Sequence, residues 1–355
     1  AEEISLCESS YNVPPDHRST IYRELGVMLN AGIPLAKALD ILIQSEATLY
    51  KHTLGTIRDK IRDGTPLSEA FANSFKKITE FELAIIKAGE HSGQLGTMLN
   101  NLTAFMNENE TLRERTKNAF VYPSVILVAG ILVASLMLGF LVPRTGAMLA
   151  DYGVPLPWLT RCVIAIQQII ARWGIPAVLV ACAIFVYLKR KWQSDENFRI
   201  KYEKLFFKIP LAGKGVTLLA NLRFTITLPV LIKAGVPLPE AMLLAGNATG
   251  IKWIAQLVEY GADMVKRGTT LAEALNTIPP FSDTLPGWVE VGEASGDLAK
   301  MLEQASEKFK QQWERFIARC IALLEPVLMS IIGAFVLIIA LSVLLPVLSL
   351  SKALL

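Results

Sequence analysis

This 355-residue chain has little to do chemistry with: four cysteines, three histidines and a formal net charge of only +3. Cys7, Cys162, Cys182 and Cys320 form no CxxC pair, and His17, His52 and His91 lie far apart in sequence. Unpaired thiols are therefore expected, with no disulfide framework, zinc site or other metal centre. Lys214 sits in Gly213-Lys214-Gly215, but no GxxxxGKS/T frame surrounds it, so a nucleotide-binding P-loop is excluded. GxSxG, HExxH and paired carboxylates at active-site spacing are also missing. No catalytic residue and no cofactor are expected. Basic and acidic residues balance over 16–117, so no field suited to nucleic acid is present. No period-two run bounded by hairpin turns occurs, so no strand is expected. The start, Ala1 to Ser10, is acidic and lacks the apolar stretch of a signal peptide, so the amino terminus is expected to stay in the cytoplasm.

What the chain does have is apolar bulk and self-similarity. Hydrophobic residues make up 52% of it, more than a soluble domain ordinarily carries, which points to a membrane protein. Gly89-Glu90-His91-Ser92-Gly93-Gln94-Leu95 returns as Gly292-Glu293-Ala294-Ser295-Gly296-Asp297-Leu298. Pro123 returns as Pro326, Gly130 as Gly333 and Pro143 as Pro346, all with one offset. A helical module followed by an apolar segment is thus written twice.

Within the first copy, Ile21, Leu25, Met28 and Leu29 share a helix face, and Gly32-Ile33-Pro34 ends that helix and opens the next. Leu35, Leu39, Leu42 and Ile43 form the second face; a third helix runs to Arg62 and stops at Gly64. Thr65-Pro66 offers a cap and a first-turn proline to a short helix containing Ala70 and Phe71. Thr79-Glu80-Phe81-Glu82 fits a capping box, so a fifth helix is expected over 80–88, and a sixth from Leu95 toward the membrane. The second copy carries the same punctuation at Ala234-Gly235-Val236-Pro237-Leu238 and Arg267-Gly268-Thr269-Thr270-Leu271.

Val121 to Val142 and Pro326 to Leu350 carry no charge and exceed the roughly 20 residues that cross a bilayer core. Trp173 to Leu188 is shorter and reaches a full span by including Ile169 and Ile170, with Arg172 at the interface. Basic residues cluster before the first span (Arg113, Arg115, Lys117), after the second (Lys189, Arg190, Lys191) and before the third (Lys308, Lys310, Arg315, Arg319). That asymmetry places both modules in the cytoplasm and the carboxyl terminus outside. The expected fold is an all-α membrane protein: two homologous six-helix cytoplasmic bundles plus three transmembrane helices. In order, the expectation is a disordered tail over 1–15, a bundle over 16–118, a span over 119–143 and an external loop over 144–168. A span over 169–189, the second bundle over 190–319 and the last span over 320–350 follow. The loop is expected to carry an amphipathic surface helix around Trp158 to Ala171.

Two sets of residues stand out as candidate sites. At the twin corners, Gly89 and Gly292 are expected to take positive φ, Gly93 and Gly296 to allow close approach, and Glu90 and Glu293 either to cap neighbouring amides or to shape a docking corner for a cytoplasmic partner. At the mouths of the spans stand Tyr122-Pro123 and Glu325-Pro326; Glu325 is an ionisable group near membrane depth, either functional or resting among headgroups.

The duplicated bundle, the three spans, the twin GExSGxL corners and the Tyr-Pro and Glu-Pro pairs together closely resemble the type II secretion F family, over about residues 18 to 350. These are inner-membrane platform proteins of type II secretion and type IV pilus machines. The resemblance implies a non-enzymatic platform in a bacterial inner membrane, with its loop and carboxyl terminus in the periplasm. It further implies a cytoplasmic assembly ATPase, pilin or pseudopilin subunits and other inner-membrane assembly proteins as partners, and self-association as a dimer or higher oligomer. Two departures are the acidic tail and Tyr122 where the second repeat has Glu325. The competing classes are a transporter or channel of duplicated halves, which requires polar residues across the spans, and an intramembrane enzyme. The spans offer almost no polar residues beyond Ser124, Ser135, Ser330 and Ser342 for the first, and only Glu325 and Cys182 for the second.

Overall fold

The short apolar periods and their glycine and proline stops fold into helices throughout. A computed structural model describes residues 13–45, 50–137, 139, 158–281 and 284–353, and among these there is no strand. The first repeat holds α1 (Pro15–Asn30), α2 (Leu35–Ser45), α3 (Lys51–Arg62), α4 (Leu67–Ser74), α5 (Glu80–Ser92) and α6 (Leu95–Ala119). Then come α7 (Val121–Leu136), α8 (Trp158–Ser194) and α9 (Glu196–Lys208). The second repeat holds α10 (Pro210–Lys233), α11 (Leu238–Ala248), α12 (Lys252–Lys266), α13 (Leu271–Asn276), α14 (Leu285–Ser295) and α15 (Leu298–Ala353). Helices α1 to α6 answer α10 to α15 one for one, and α9 has no counterpart among the described residues.

The chain divides into two compact units, one of residues 1–113 with 200–314 and one of 114–199 with 315–355. In the first unit both repeats contribute to one apolar core. Ile21, Leu25, Leu39, Leu42, Leu54 and Phe71 come from the first, and Phe224, Leu228, Val258, Leu275, Phe281 and Leu302 from the second. Helix α5 packs against α11, joining the repeats. Lys310 of α15 lies 2.9 Å from Glu108 of α6, and that carboxylate holds the ammonium above its ordinary value.

A charged network marks one difference between the repeats. Glu82 and Arg18 are both buried; Arg18 donates to the two carboxylate oxygens at 2.9 and 3.0 Å and to the Val13 carbonyl at 2.7 Å. Tyr22 donates to Glu82 at 2.8 Å, and burial together with the Glu82 charge pushes its phenol well above the ordinary range, so the proton stays. Glu82 also closes the capping box with Thr79, as expected from the spacing. The equivalent second-repeat positions are Asn221, Thr225 and Leu285, all buried, so the same place is filled without an ion pair. There Asn221 donates to the Pro280 carbonyl at 2.6 Å.

The second unit has the opposite surface. No described residue of α7 is buried, and Val125, Val128, Ile131, Leu323, Val327 and Ile331 are exposed. A continuous apolar surface of this kind is untenable in water and natural in lipid. By length and apolarity alone, Leu95–Leu136, Pro210–Lys233 and Leu298–Ser342 are able to cross a membrane. The middle one is α10, whose Leu222, Phe224, Leu228 and Leu231 lie in the core of the first unit. The span expected over 169–189 lies instead within α8, which exposes Leu179, Val180, Ile184 and Phe185.

Three expectations are corrected. The surface helix around 158–171 and the second span are one helix, Trp158–Ser194, continuous through Pro176, because no stop signal separates them and an apolar helix tolerates one lost amide. Its expected boundary at 168 does not exist; residues 140–157 lie outside the described residues. Val13, assigned to a disordered tail, is buried and anchors Arg18, and α1 starts at Pro15; residues 1–12 are not described. Helices α6 and α7 are separated by a turn at Phe120, three residues before Pro123, whereas α15 runs unbroken past Pro326, the equivalent of Pro123. Proline at this position therefore does not itself break the helix.

Removing one member of the Arg18–Glu82 pair strands a buried charge. Glu82→Leu alone is expected to lower unfolding stability by about 3–5 kcal/mol. Combining it with Arg18→Asn and Tyr22→Thr, which installs the second repeat's solution, is expected to restore most of the loss. Denaturant titration of the full chain in detergent micelles checks both, and a triple variant no better than the single one would refute the equivalence.

Candidate functional site

The twin corners are built from the ends of α5 and α14. Helix α5 runs through Gly89 to Ser92, and Gly93 ends it in the left-handed region with φ 70°. Gln94 donates its amide to the Gly89 carbonyl at 3.0 Å and Gly93 to the Glu90 carbonyl at 3.3 Å, the two bonds of a glycine-terminated helix end. Gly296 ends α14 in the same way with φ 71°. The two glycine roles are thus the reverse of those expected. Gly89 and Gly292 are helical and buried: a Cβ on Gly89 would stand 3.0 Å from Leu95 Cα and Met98 Cβ, and one on Gly292 2.9 Å from Leu298 Cα. They set how closely α5 approaches α6 and α14 approaches α15, while Gly93 and Gly296 supply the positive φ.

Glu90 is half-buried and Glu293 exposed, and both carboxylates turn onto backbone amides. Glu90 accepts from the backbone amide of Leu67, from the Ser68 amide at 3.3 Å and from the Ser68 hydroxyl at 2.6 Å. Glu293 accepts from the amides of Leu271 at 2.7 Å and Ala272 at 3.2 Å. Each therefore caps the first turn of a short helix, α4 or α13, where unpaired amides and the helix dipole favour negative charge. In α4 the residue before the helix is Pro66, which makes no side-chain cap, so Glu90 takes the role expected of Thr65. In α13 Thr270 caps Glu273 at 3.2 Å and Glu293 covers the two preceding amides. Of the two readings of these glutamates, the geometry displays the capping one. Exposed at the corners are His91, Ser92, Gly93 and Gln94 in the first repeat, and Glu293, Ala294, Ser295, Gly296 and Asp297 in the second.

At the mouths of the spans, the two repeat-equivalent residues meet. Tyr122 Oη donates to Glu325 Oε1 at 3.4 Å, across 203 positions of sequence. About two helical turns further along α7, at Gly130, a Cβ would stand 3.1 Å from Ile332 Cδ1, so α7 and α15 are again in contact. Glutamates at both positions would set like charges together on an apolar surface, which tyrosine at 122 avoids. Pro123 and Pro326 lie in the first turn of α7 and inside α15. Among the described residues no group of three His, Cys, Asp or Glu is placed to hold a metal, and Cys162, Cys182 and Cys320 are free thiols.

Sequence reasoning missed Glu82 as the anchor of Arg18 and Tyr22. The capping-box spacing flagged the residue, but partners 64 and 60 positions away leave no local signature.

A duplicated all-α module carried on lipid-compatible apolar helices defines the class of protein. Comparison with known families then identifies it: the family model described as Type II secretion system (T2SS), protein F matches residues 21–143 and again 224–346. The chain belongs to that family, and the two matches coincide with the two repeats. It is 29% identical to the Type IV pilus assembly protein TapC of Aeromonas hydrophila, over 91% of this chain and 79% of that protein. It is likewise 29% identical to the Type II secretion system protein F of Pseudomonas aeruginosa, over 94% and 82%. The Type IV pilus assembly protein PilC of Thermus thermophilus is 28% identical over 88% and 77%.

Breaking the corners separates their parts. Glu90→Ala is expected to cost about 1–2 kcal/mol through the uncapped first turn of α4. Gly93→Val, forced into the left-handed region, is expected to cost about as much, whereas Gly93→Asn is expected to cost less. Thermal unfolding of the purified chain ranks the three; equal stability of Gly93→Val and Gly93→Asn would contradict the backbone assignment.

Proposed function

We propose that the chain is a polytopic platform in a bacterial inner membrane that couples a cytoplasmic assembly ATPase to the extraction and assembly of pilin or pseudopilin subunits. One observation carries the coupling: α15 is a single helix over 56 residues, from the core of the second repeat at Leu298 into the apolar stretch ending at Ser342 and beyond. In this reading the helix is the element along which a displacement in the second repeat passes toward the apolar stretch. Membership of the family and the pilus and secretion names of its relatives support the reading.

In this scheme both bundles face the cytoplasm, in accord with the basic residues that flank the spans, and the carboxyl terminus is periplasmic. The chain acts without chemistry of its own and draws its energy from the ATPase. The exposed rims around Gly93 and Gly296 form partner-facing corners, with Gly89, Gly292, Glu90 and Glu293 holding their shape. Glu325 and Tyr122 stand at the mouths of the spans, where an apolar subunit helix leaving the bilayer passes a polar pair. The machine contains at least two copies of the chain together with other inner-membrane assembly proteins.

Gln94→Arg and Ala294→Arg change only exposed rim residues and are expected to reduce co-purification of the assembly ATPase from cells while leaving thermal stability unchanged. Unaltered recovery of the ATPase with both variants would remove the corners from the interface. Separately, Glu325→Ala is expected to impair fibre assembly or export in cells with membrane insertion intact; normal export would show Glu325 to be dispensable.

A further inference from the structure

Helix α9 is the element that the repeat does not explain, and it is held firmly. Glu203 is buried and accepts from the Trp253 amide at 2.9 Å, capping α12. Phe207 packs edge-on against the Trp253 ring with centroids 5.0 Å apart. The chain then turns at Ile209-Pro210, where the Gly213 amide bonds the Ile209 carbonyl at 2.6 Å. A Cβ on Gly213 would collide with the Phe207 carbonyl oxygen, so only glycine permits this corner.

The outer face of α9 and of the start of α10 is a different surface. Leu205 is 56% exposed, Phe206 51%, Ile209 47% and Leu211 59%. Leu205 and Phe206 lie at the end of α9, and Ile209 and Leu211 follow at the turn into α10. Lys201, Lys204 and Lys208 form the adjoining stripe, and Lys214 follows; all four are exposed. An apolar stripe bordered by lysines on a fixed helix is the pattern of a segment lying in the headgroup plane of a membrane. Continuity points the same way. Helix α8 exposes Ile184, Phe185, Tyr187 and Leu188, passes through Lys189, Arg190 and Lys191, and ends at Ser194, two residues before α9 begins.

We propose that α9 and the first turn of α10 form a membrane-surface anchor, with Leu205, Phe206, Ile209 and Leu211 seated among acyl chains and Lys201, Lys204, Lys208 and Lys214 on anionic lipid headgroups. The anchor requires only that the chain be a membrane protein, not that it drive pilus or secretion assembly. It fixes the second repeat to the bilayer surface at a point separate from the spans. The lysines match anionic headgroups in charge, each strengthening attachment about fivefold near an anionic surface.

The test uses the full chain with its four cysteines replaced by serine and a nitroxide placed at Phe206→Cys, reconstituted in vesicles of phosphatidylcholine with or without phosphatidylglycerol. In mixed vesicles the label is expected to meet lipid-dissolved oxygen several-fold more readily than a water-soluble nickel chelate. Lys201→Gln, Lys204→Gln and Lys208→Gln together are expected to reverse that preference, and Leu205→Cys to repeat the wild-type result. A label at Val291→Cys, exposed on α14, is the aqueous reference. Preference for nickel at both 205 and 206 would overturn the anchor, as would shielding from both reagents, which would mean that a second copy of the chain covers the face. Equal immersion with and without phosphatidylglycerol would overturn the role of the lysines.

Discussion

Closest approach between a helix that ends and the long helix that begins is the constraint on which the rest of the molecule depends. At Gly89 against Leu95 and Met98, and at Gly292 against Leu298 and Met301, there is no room for a side chain. The contact sets how closely α6 packs on α5 and α15 on α14 at their starts. Glu90 and Glu293 tie the same corners to the short helices α4 and α13, whose first turns would otherwise lack acceptors. Each corner is thereby locked by packing on one side and by charge-assisted hydrogen bonds on the other. Duplication transmits the arrangement to both halves of the chain.

The repeats agree in backbone and differ in how they fill equivalent space. The first uses a buried arginine, tyrosine and glutamate where the second uses asparagine, threonine and leucine. A buried ion pair is weak evidence of greater stability, since desolvation offsets most of its Coulomb attraction. Arg18 links Val13, α1 and α5, and a mispacked first repeat would strand a charge. At the mouths of the spans the asymmetry has a different cause. Because Tyr122 and Glu325 touch, identical acidic residues would repel each other there, and the two repeats cannot both carry glutamate without cost.

Much of this architecture is legible in residue order, and the limits follow from range. Helix boundaries at Gly32-Ile33-Pro34, Gly64 and Thr79 are local signals, and they mark true ends. So is the 203-residue offset that pairs Tyr122 with Glu325, although nothing in the sequence announced that the two would meet. Nonlocal partnerships were hidden. Glu82 reads as a cap and is also a buried counter-ion, and Glu90 reads as a corner residue and is a cap for a helix 22 or 23 residues earlier. The glycine roles were inverted because GExSG contains two glycines and either one can end a helix; only the packing of Leu95 against Gly89 distinguishes them. Helix α9 escaped notice because it lies outside the repeat, and α8 was split because Arg172 looks like the edge of an uncharged span, whereas the helix runs through it.

Two bundles on one face of a membrane, tied to three apolar crossings, is the central claim, and sidedness tests it most directly. Single cysteines at Ile41 in the first repeat and Tyr260 in the second, both exposed, are to be labelled with a membrane-impermeant maleimide in intact and in permeabilised cells. The account predicts that neither site reacts until the cells are permeabilised, and that both then react together. Labelling of one site but not the other in intact cells would place the repeats on opposite faces and contradict it.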